Sequence, residues 1–227
     1  MRPQLSKAIA ELVGTFAIIF SGCGAIMIAE RFPGSVSHSA IPAVFGLVVA
    51  AIIYATGHIS GAHFNPAVTA AFAIARHFPP RQVLIYWTAQ FAGALLAMGL
   101  LWLLLPTGQL FGATIPVIAP LKALLWEAVL SFFLMFVIIA VATDTRAEGT
   151  MAGAAIGATV MFCSFFGGPV TGASMNPARS LAPNLFQGEC NTLWIYLVGP
   201  FAGTITAALL YEAIRCGPAD KDSKGCC

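Results

Sequence analysis

Residues 60–67 read Ser-Gly-Ala-His-Phe-Asn-Pro-Ala, and residues 171–178 read Thr-Gly-Ala-Ser-Met-Asn-Pro-Ala. Gly61, Ala62, Asn65, Pro66 and Ala67 return as Gly172, Ala173, Asn176, Pro177 and Ala178 at a constant offset of 111. Phe91-Ala92-Gly93 returns as Phe201-Ala202-Gly203, and Glu11 has a counterpart in Glu127. One domain made of two copies of a unit accounts for this, with repeat 1 over about 7–105, repeat 2 over about 121–214 and a tail at 215–227.

The sequence around the two motifs places the chain in lipid. Of 227 residues, 59% are hydrophobic and only 9% charged, and the mean hydropathy of +0.86 lies outside the range of soluble globular domains. Six apolar runs, about 7–29, 39–57, 82–105, 121–142, 150–168 and 191–214, approach the roughly 20 residues needed to cross a hydrocarbon core about 30 Å thick. The first is too long for a signal-peptide core and contains Glu11, so it counts as a span. Each unit then holds three spans. An odd number sends the second copy into the membrane from the opposite side, an inverted repeat about an axis in the membrane plane.

Charge orients it. With both termini cytoplasmic, Arg2, Lys7, Arg76, Arg81, Arg146, Arg215, Lys221 and Lys224 fall inside, and only Arg31 and Lys122 outside, the bias that the positive-inside rule demands. The first motif is then on the cytoplasmic side and the second on the external side. Cys23 and Cys163 lie in apolar spans, where a buried free thiol is the expected state. Cys190 is external, and Cys216, Cys226 and Cys227 belong to a cytoplasmic tail read as disordered, without zinc-site spacing.

Each motif is also a helix start. Asn is a favoured N-cap and Pro suits the first helical position, so helices should begin at Asn65 and Asn176. The apolar stretch from Asn65 to Arg76 is 12 residues, about 18 Å of helix, and Asn176 to about Phe186 is similar. Neither crosses alone. Two halves entering from opposite faces meet near the midplane, where non-helical backbone is tolerated only in protein or along a water-filled cavity. The fold class expected is an all-α membrane protein with 3+3 transmembrane helices and two re-entrant half-helices.

Facing helix N-termini put positive dipole ends and unpaired N–H groups at the centre, which disfavours cations. Asn65 and Asn176 are expected to cap their helices through the carbonyl oxygen and to donate from the amide into the lumen. Arg179 breaks the repeat, because its counterpart is Val68. A lone Arg at membrane depth marks a functional site, here near the outer mouth. Glu11 and Glu127 should each accept hydrogen bonds from the backbone of a motif loop. His58 and His63 are read as loop-bracing, since no metal-ligand spacing surrounds them. The carbonyls of Ala62, His63 and Phe64, and of Ala173, Ser174 and Met175, are expected to line the pore as acceptors.

Two Asn-Pro-Ala boxes at matched positions of a six-span inverted repeat resemble the aquaporin, or major intrinsic protein, family, over residues from about 8 to 214. The resemblance implies a passive channel for water and small uncharged solutes that excludes protons and ions. It also implies an aromatic/arginine constriction, whose members by position relative to the boxes are Phe45, Ser164, Ala173 and Arg179. Water-selective relatives usually carry His at the Ser164 position, so Ser164 argues for a wider opening. Ser180 stands where glycerol facilitators have Asp, which favours the water-channel side, whereas Tyr196-Leu197 lacks a Trp common in water channels. The stretches Ile53-Tyr54-Ala55 through Asn65, and Arg76-His77-Phe78-Pro79 with Tyr86-Trp87, are most similar to nodulin-like intrinsic proteins and their bacterial kin. Such relatives pass glycerol or uncharged metalloid acids such as boric or arsenous acid. Phe45 and Ala173 depart from the silicic-acid type, which has small residues there.

The alternatives are a strictly water-selective channel and an ion-coupled secondary transporter, for which only Glu11 and Glu127 would qualify as coupling sites. No nucleophile and base or metal triad suggests an enzyme. No cofactor, metal or nucleic-acid partner is expected. The partners expected are the bilayer, the solutes and, by resemblance, three further copies in a homotetramer. Compact loops and short termini suggest a prokaryotic cytoplasmic membrane.

Overall fold

A computed structural model describes residues 3–105, 111–144, 147 and 149–215. Arg2, Arg146, Lys221, Lys224 and the tail cysteines Cys216, Cys226 and Cys227 lie outside the described residues.

Six of its helices are long and apolar enough to span a membrane. They are α1 (Pro3–Arg31), α2 (Ala40–Ser60), α4 (Val83–Leu104), α5 (Pro120–Thr143), α6 (Ala152–Thr171) and α8 (Leu193–Ile214). Two short helices, α3 (Pro66–Ile74) and α7 (Pro177–Gln187), follow the motifs. Every expected span is present, within a few residues at each end, and no strand occurs among the described residues. The expected first half-helix is shortened. The apolar stretch runs to Arg76 but the helix ends at Ile74, because Arg76 takes a left-handed φ of 64° and the His77 N–H bonds back to the Phe72 carbonyl at 2.9 Å.

The repeat is visible in how the helices pair. α1 packs along α4 and α5 along α8, the first and third spans of each unit, while α2 packs on α6 across the units. α3 lies against α8 and α7 against α4, so each half-helix is held mainly by the other repeat. The repeated Phe-Ala-Gly makes these contacts close. A Cβ on Gly93 would lie 3.1 Å from the Leu12 carbonyl carbon, and one on Gly203 would lie 2.8 Å from that of Ala128. Small residues at such crossings let helices approach and gain dispersion contacts, which lipid-exposed apolar surface cannot supply as a driving force.

Gly203→Val is expected to destabilise the detergent-solubilised protein by about 1–3 kcal/mol, because the added carbons meet backbone that cannot rotate away. Gly168→Ala, where an added Cβ meets nothing within 4 Å, is the control. Thermal unfolding of the two variants checks this.

Candidate functional site

α2 and α6 both end on a glycine in the left-handed region, Gly61 (φ 88°) and Gly172 (φ 86°), which closes the helix without a Cβ penalty. The chain then takes left-handed geometry at two further residues in each loop before the extended Asn65 and Asn176. Ala62 and Phe64 have φ of 53° and 51°, and their counterparts Ala173 and Met175 have φ of 44° and 53°. Left-handed geometry costs a non-glycine residue about 1–2 kcal/mol, and four such residues in two matched loops need something to hold them.

Two buried carboxylates hold them. Glu11 of α1 accepts from the backbone N–H of His63 (2.9 Å) and Phe64 (2.7 Å), from Ser60 Oγ (2.7 Å) and from Gln90 Nε2 (2.8 Å). Glu127 of α5 accepts from the N–H of Ser174 (3.0 Å) and Met175 (2.9 Å) and from Thr171 Oγ1 (2.6 Å). The tyrosines repeat as well: Tyr86 donates to the Ser60 carbonyl and Tyr196 to that of Thr171, both at 2.6 Å. Hydrogen bonds to charged groups contribute about 1.5–3 kcal/mol each, so the two backbone bonds to each carboxylate suffice to hold two strained residues.

The loops deliver the chain to the half-helices. Asn65 Oδ1 accepts from the N–H of Ala67 (2.9 Å) and Val68 (3.5 Å), and Asn176 Oδ1 from those of Ala178 (3.0 Å) and Arg179 (3.4 Å), with Pro66 and Pro177 at the first helical position. The amide groups refine what was expected of them. Asn65 Nδ2 donates to the Met175 carbonyl (2.7 Å) and Asn176 Nδ2 to the Phe64 carbonyl (2.9 Å). Each amide therefore spends one N–H on cross-bracing the other repeat's loop and keeps one of its two for the lumen.

A cavity of about 360 Å³ runs past these groups, from Val141, Ala142, Gly149 and Ala152 at one end to Arg179 at the other. One side carries Ala62, His63, Phe64, Asn65, Ser174, Met175 and Asn176; another carries Ile18, Val49, Ile53, Leu134, Ile138 and Ile156. The N–H of His63 is taken by Glu11, and its ring is hydrogen-bonded to Thr69 and packed on Phe72, Phe78 and Tyr86. With its N–H and ring engaged in this way, His63 is itself one of the residues that line the cavity.

Phe45, Ser164, Ala173 and Arg179 all border this cavity. The Arg179 Cζ lies 5.1 Å from the centre of the Phe45 ring, a cation–π distance. Arg179, 4% exposed, donates from Nη1 to the Gly112 carbonyl at 2.7 Å and approaches Cys23 Sγ at 3.6 Å. Gly112 belongs to the connection before α5, which is pinned on α7 by reciprocal bonds between Thr114 and Asn184, N–H to Oδ1 at 3.0 Å and Nδ2 to carbonyl at 3.1 Å.

His58 does not brace the loop. It is exposed on α2 with no hydrogen bond or ring contact among the described residues, because the helical turn at that point aims it away from the motif. Tyr86, Ser60 and Gln90 do that work instead. Sequence reasoning missed Gln90, Asn184, Thr114 and Gly112. Gln90, a fully buried amide in an apolar run, and Asn184, a second amide in the short helix, were detectable signals. Gly112 was not, since its contribution is a carbonyl. Cys23, Cys163 and Cys190 are free thiols, the first two buried. Among the described residues, no three His, Cys, Asp or Glu side chains cluster as metal ligands.

The family model described as major intrinsic protein matches residues 2–211. Aquaporin NIP1-1 of Oryza sativa subsp. japonica is 48% identical over 214 residues, covering 94% of this chain and 75% of the relative. Nodulin-26 of Glycine max is 48% identical over 214 residues, covering 94% of this chain and 79% of the relative. The solved aquaglyceroporin from Plasmodium falciparum superposes with a TM-score of 0.83 at 23% identity, over 94% of this chain and 97% of that one, a likeness of fold.

Glu127→Ala leaves the N–H groups of Ser174 and Met175 unpaired at membrane depth. Each orphaned donor costs about 1–3 kcal/mol, so thermal stability and water flux per protein in liposomes should both fall. Glu127→Gln, which keeps one acceptor oxygen, should lose less of each. Unchanged stability in the Ala variant would show that the loop is held by other means.

Proposed function

The chain belongs to the major intrinsic protein family, and we propose that it passes water together with small neutral solutes the size of glycerol, boric acid and arsenous acid. It is a multi-pass membrane channel and not an enzyme. The observation that carries the solute reading is the lining of the cavity that Arg179 borders. Phe45, which lies against Arg179, and the small Ser164 and Ala173 belong to it, without the His that the resemblance associates with strict water selectivity.

In this reading Arg179 donates to the passing solute and repels cations, and Phe45, Ser164 and Ala173 set the width. Asn65 and Asn176, each with one free amide N–H, donate to the oxygen of a solute between two positive helix ends. A water held there by two donors points both its own hydrogens away from that pair, which interrupts proton hopping. Carbonyls of Ala62, His63, Phe64, Ala173, Ser174 and Met175 supply acceptors on either side. The secondary-transporter reading loses its support: neither Glu11 nor Glu127 borders the cavity, and both are fully buried against loop N–H groups.

The assembly we propose is a homotetramer with one pore per subunit, in the cytoplasmic membrane with both termini inside. Its supports are the family resemblance and the surplus of Lys and Arg on that side. Size-exclusion chromatography with light scattering and protease access from either face test these two points.

Purified protein in liposomes should shrink and then reswell under glycerol and boric acid gradients, at rates unaffected by proton or sodium gradients. Fast water movement without any reswelling would leave a strictly water-selective channel instead. Phe45→Gly is expected to admit bulkier polyols, and an unchanged solute profile would remove Phe45 from the constriction.

A further inference from the structure

Phe45 borders the cavity, yet it is only 8% exposed, so something behind it takes up most of the ring. That space is supplied by α1 at Gly22. A Cβ built there overlaps the Phe45 ring at Cε1 and Cζ and lies 2.6 Å from Cδ1, and these three ring atoms are its nearest neighbours. Real Cβ atoms essentially never come so close. Gly93 and Gly203, by contrast, would meet backbone of a neighbouring helix, so they serve helix crossing. Gly22 is different: what occupies its missing side chain is a single aromatic ring of the proposed constriction.

We propose that Gly22 is a specificity-determining residue, a notch in α1 that parks the Phe45 ring back from the lumen and so sets the width of the opening. The inference rests on the reading of Phe45 as part of the constriction. With a methyl group in the notch, Cδ1 must retreat from 2.6 Å to beyond 3.4 Å to regain ordinary contact. The ring has two directions in which to go. One is toward the Arg179 guanidinium, whose Cζ already sits 5.1 Å from the ring centre and whose Nη1 is tied to the Gly112 carbonyl. The other is the cavity, which is open.

The second repeat allocates the volume differently. At the Glu11–Glu127 offset of 116, Gly22 corresponds to Ile138; at the motif offset of 111, Phe45 corresponds to Ile156. Both isoleucines border the cavity. At this pair of positions repeat 2 has a bulky side chain on both helices, whereas repeat 1 has one on α2 alone. An aromatic ring as large as Phe fits at position 45 without closing the cavity because position 22 has no side chain.

The test compares wild type, Gly22→Ala, Phe45→Gly and the double variant in liposomes, read as water, glycerol and boric acid permeability per folded protein. Gly22→Ala should cut glycerol and boric acid entry at least tenfold while water falls less. In the Phe45→Gly background the same change should have no effect, so that the double variant matches Phe45→Gly. If Gly22→Ala does not fold, a double variant that folds with the Phe45→Gly profile supports the notch equally. The proposal is overturned if Gly22→Ala leaves solute entry unchanged, if it impairs entry by the same factor with or without the ring, or if the double variant fails to fold. A Phe45→Gly profile identical to wild type would instead overturn the constriction on which the proposal rests.

Discussion

A peptide N–H inside a bilayer has no water to bond, so any stretch of chain that leaves helical geometry at that depth must find its partners within the protein. Among the described residues two such stretches follow α2 and α6, 61–65 and 172–176, and buried side chains of other helices bond their N–H groups. Glu11 and Glu127 sit in the first span of each repeat, fully buried, and each takes two consecutive loop N–H groups that the left-handed turns aim toward it. A neutral acceptor would make weaker bonds. The carboxylates cost desolvation, and the number of donors around each offsets it: four for Glu11, three for Glu127.

The same economy places polar groups along the lumen. Once the N–H groups of His63, Phe64, Ser174 and Met175 are turned toward the carboxylates, the carbonyls are what the loops have left to present. The Asn65 and Asn176 amides then lock the two loops to each other, each donating to the carbonyl that precedes the other asparagine. Selectivity and stability are therefore coupled. The N–H groups of His63, Phe64, Ser174 and Met175 are bonded on the far side of each loop, and those bonds hold the loops rigid.

Departures from the repeat mark where the two ends of the pore differ. Val68 and Arg179 occupy matching positions, and both border the cavity, so its wall is apolar at one of them and cationic at the other. Gln90 serves Glu11 and Thr69 in repeat 1. In repeat 2 Ser180, the counterpart of Thr69, is instead bonded by Thr114 of the connection before α5, which also bonds Asn184. That connection also brings the Gly112 carbonyl to Arg179. The arginine is held by the connection before α5.

Much of this was written in the order of residues. The repeat, the six spans, the two asparagine caps and the buried glutamates follow from identity at fixed offsets, from run length against bilayer thickness and from capping chemistry. All of these are local or one-dimensional properties. The lone Arg179 stood out because symmetry predicts Val there. What local pattern could not reach depends on which atoms meet across the fold. That one amide N–H of each asparagine is already committed, that His58 points away from the loop while Gln90 points toward Glu11, and that a carbonyl at Gly112 anchors Arg179 are facts of helix rotation and loop path. So is the fit of the Phe45 ring against Gly22: a missing side chain has no sequence signature of its own, and only the packing of α1 against α2 shows what fills the space.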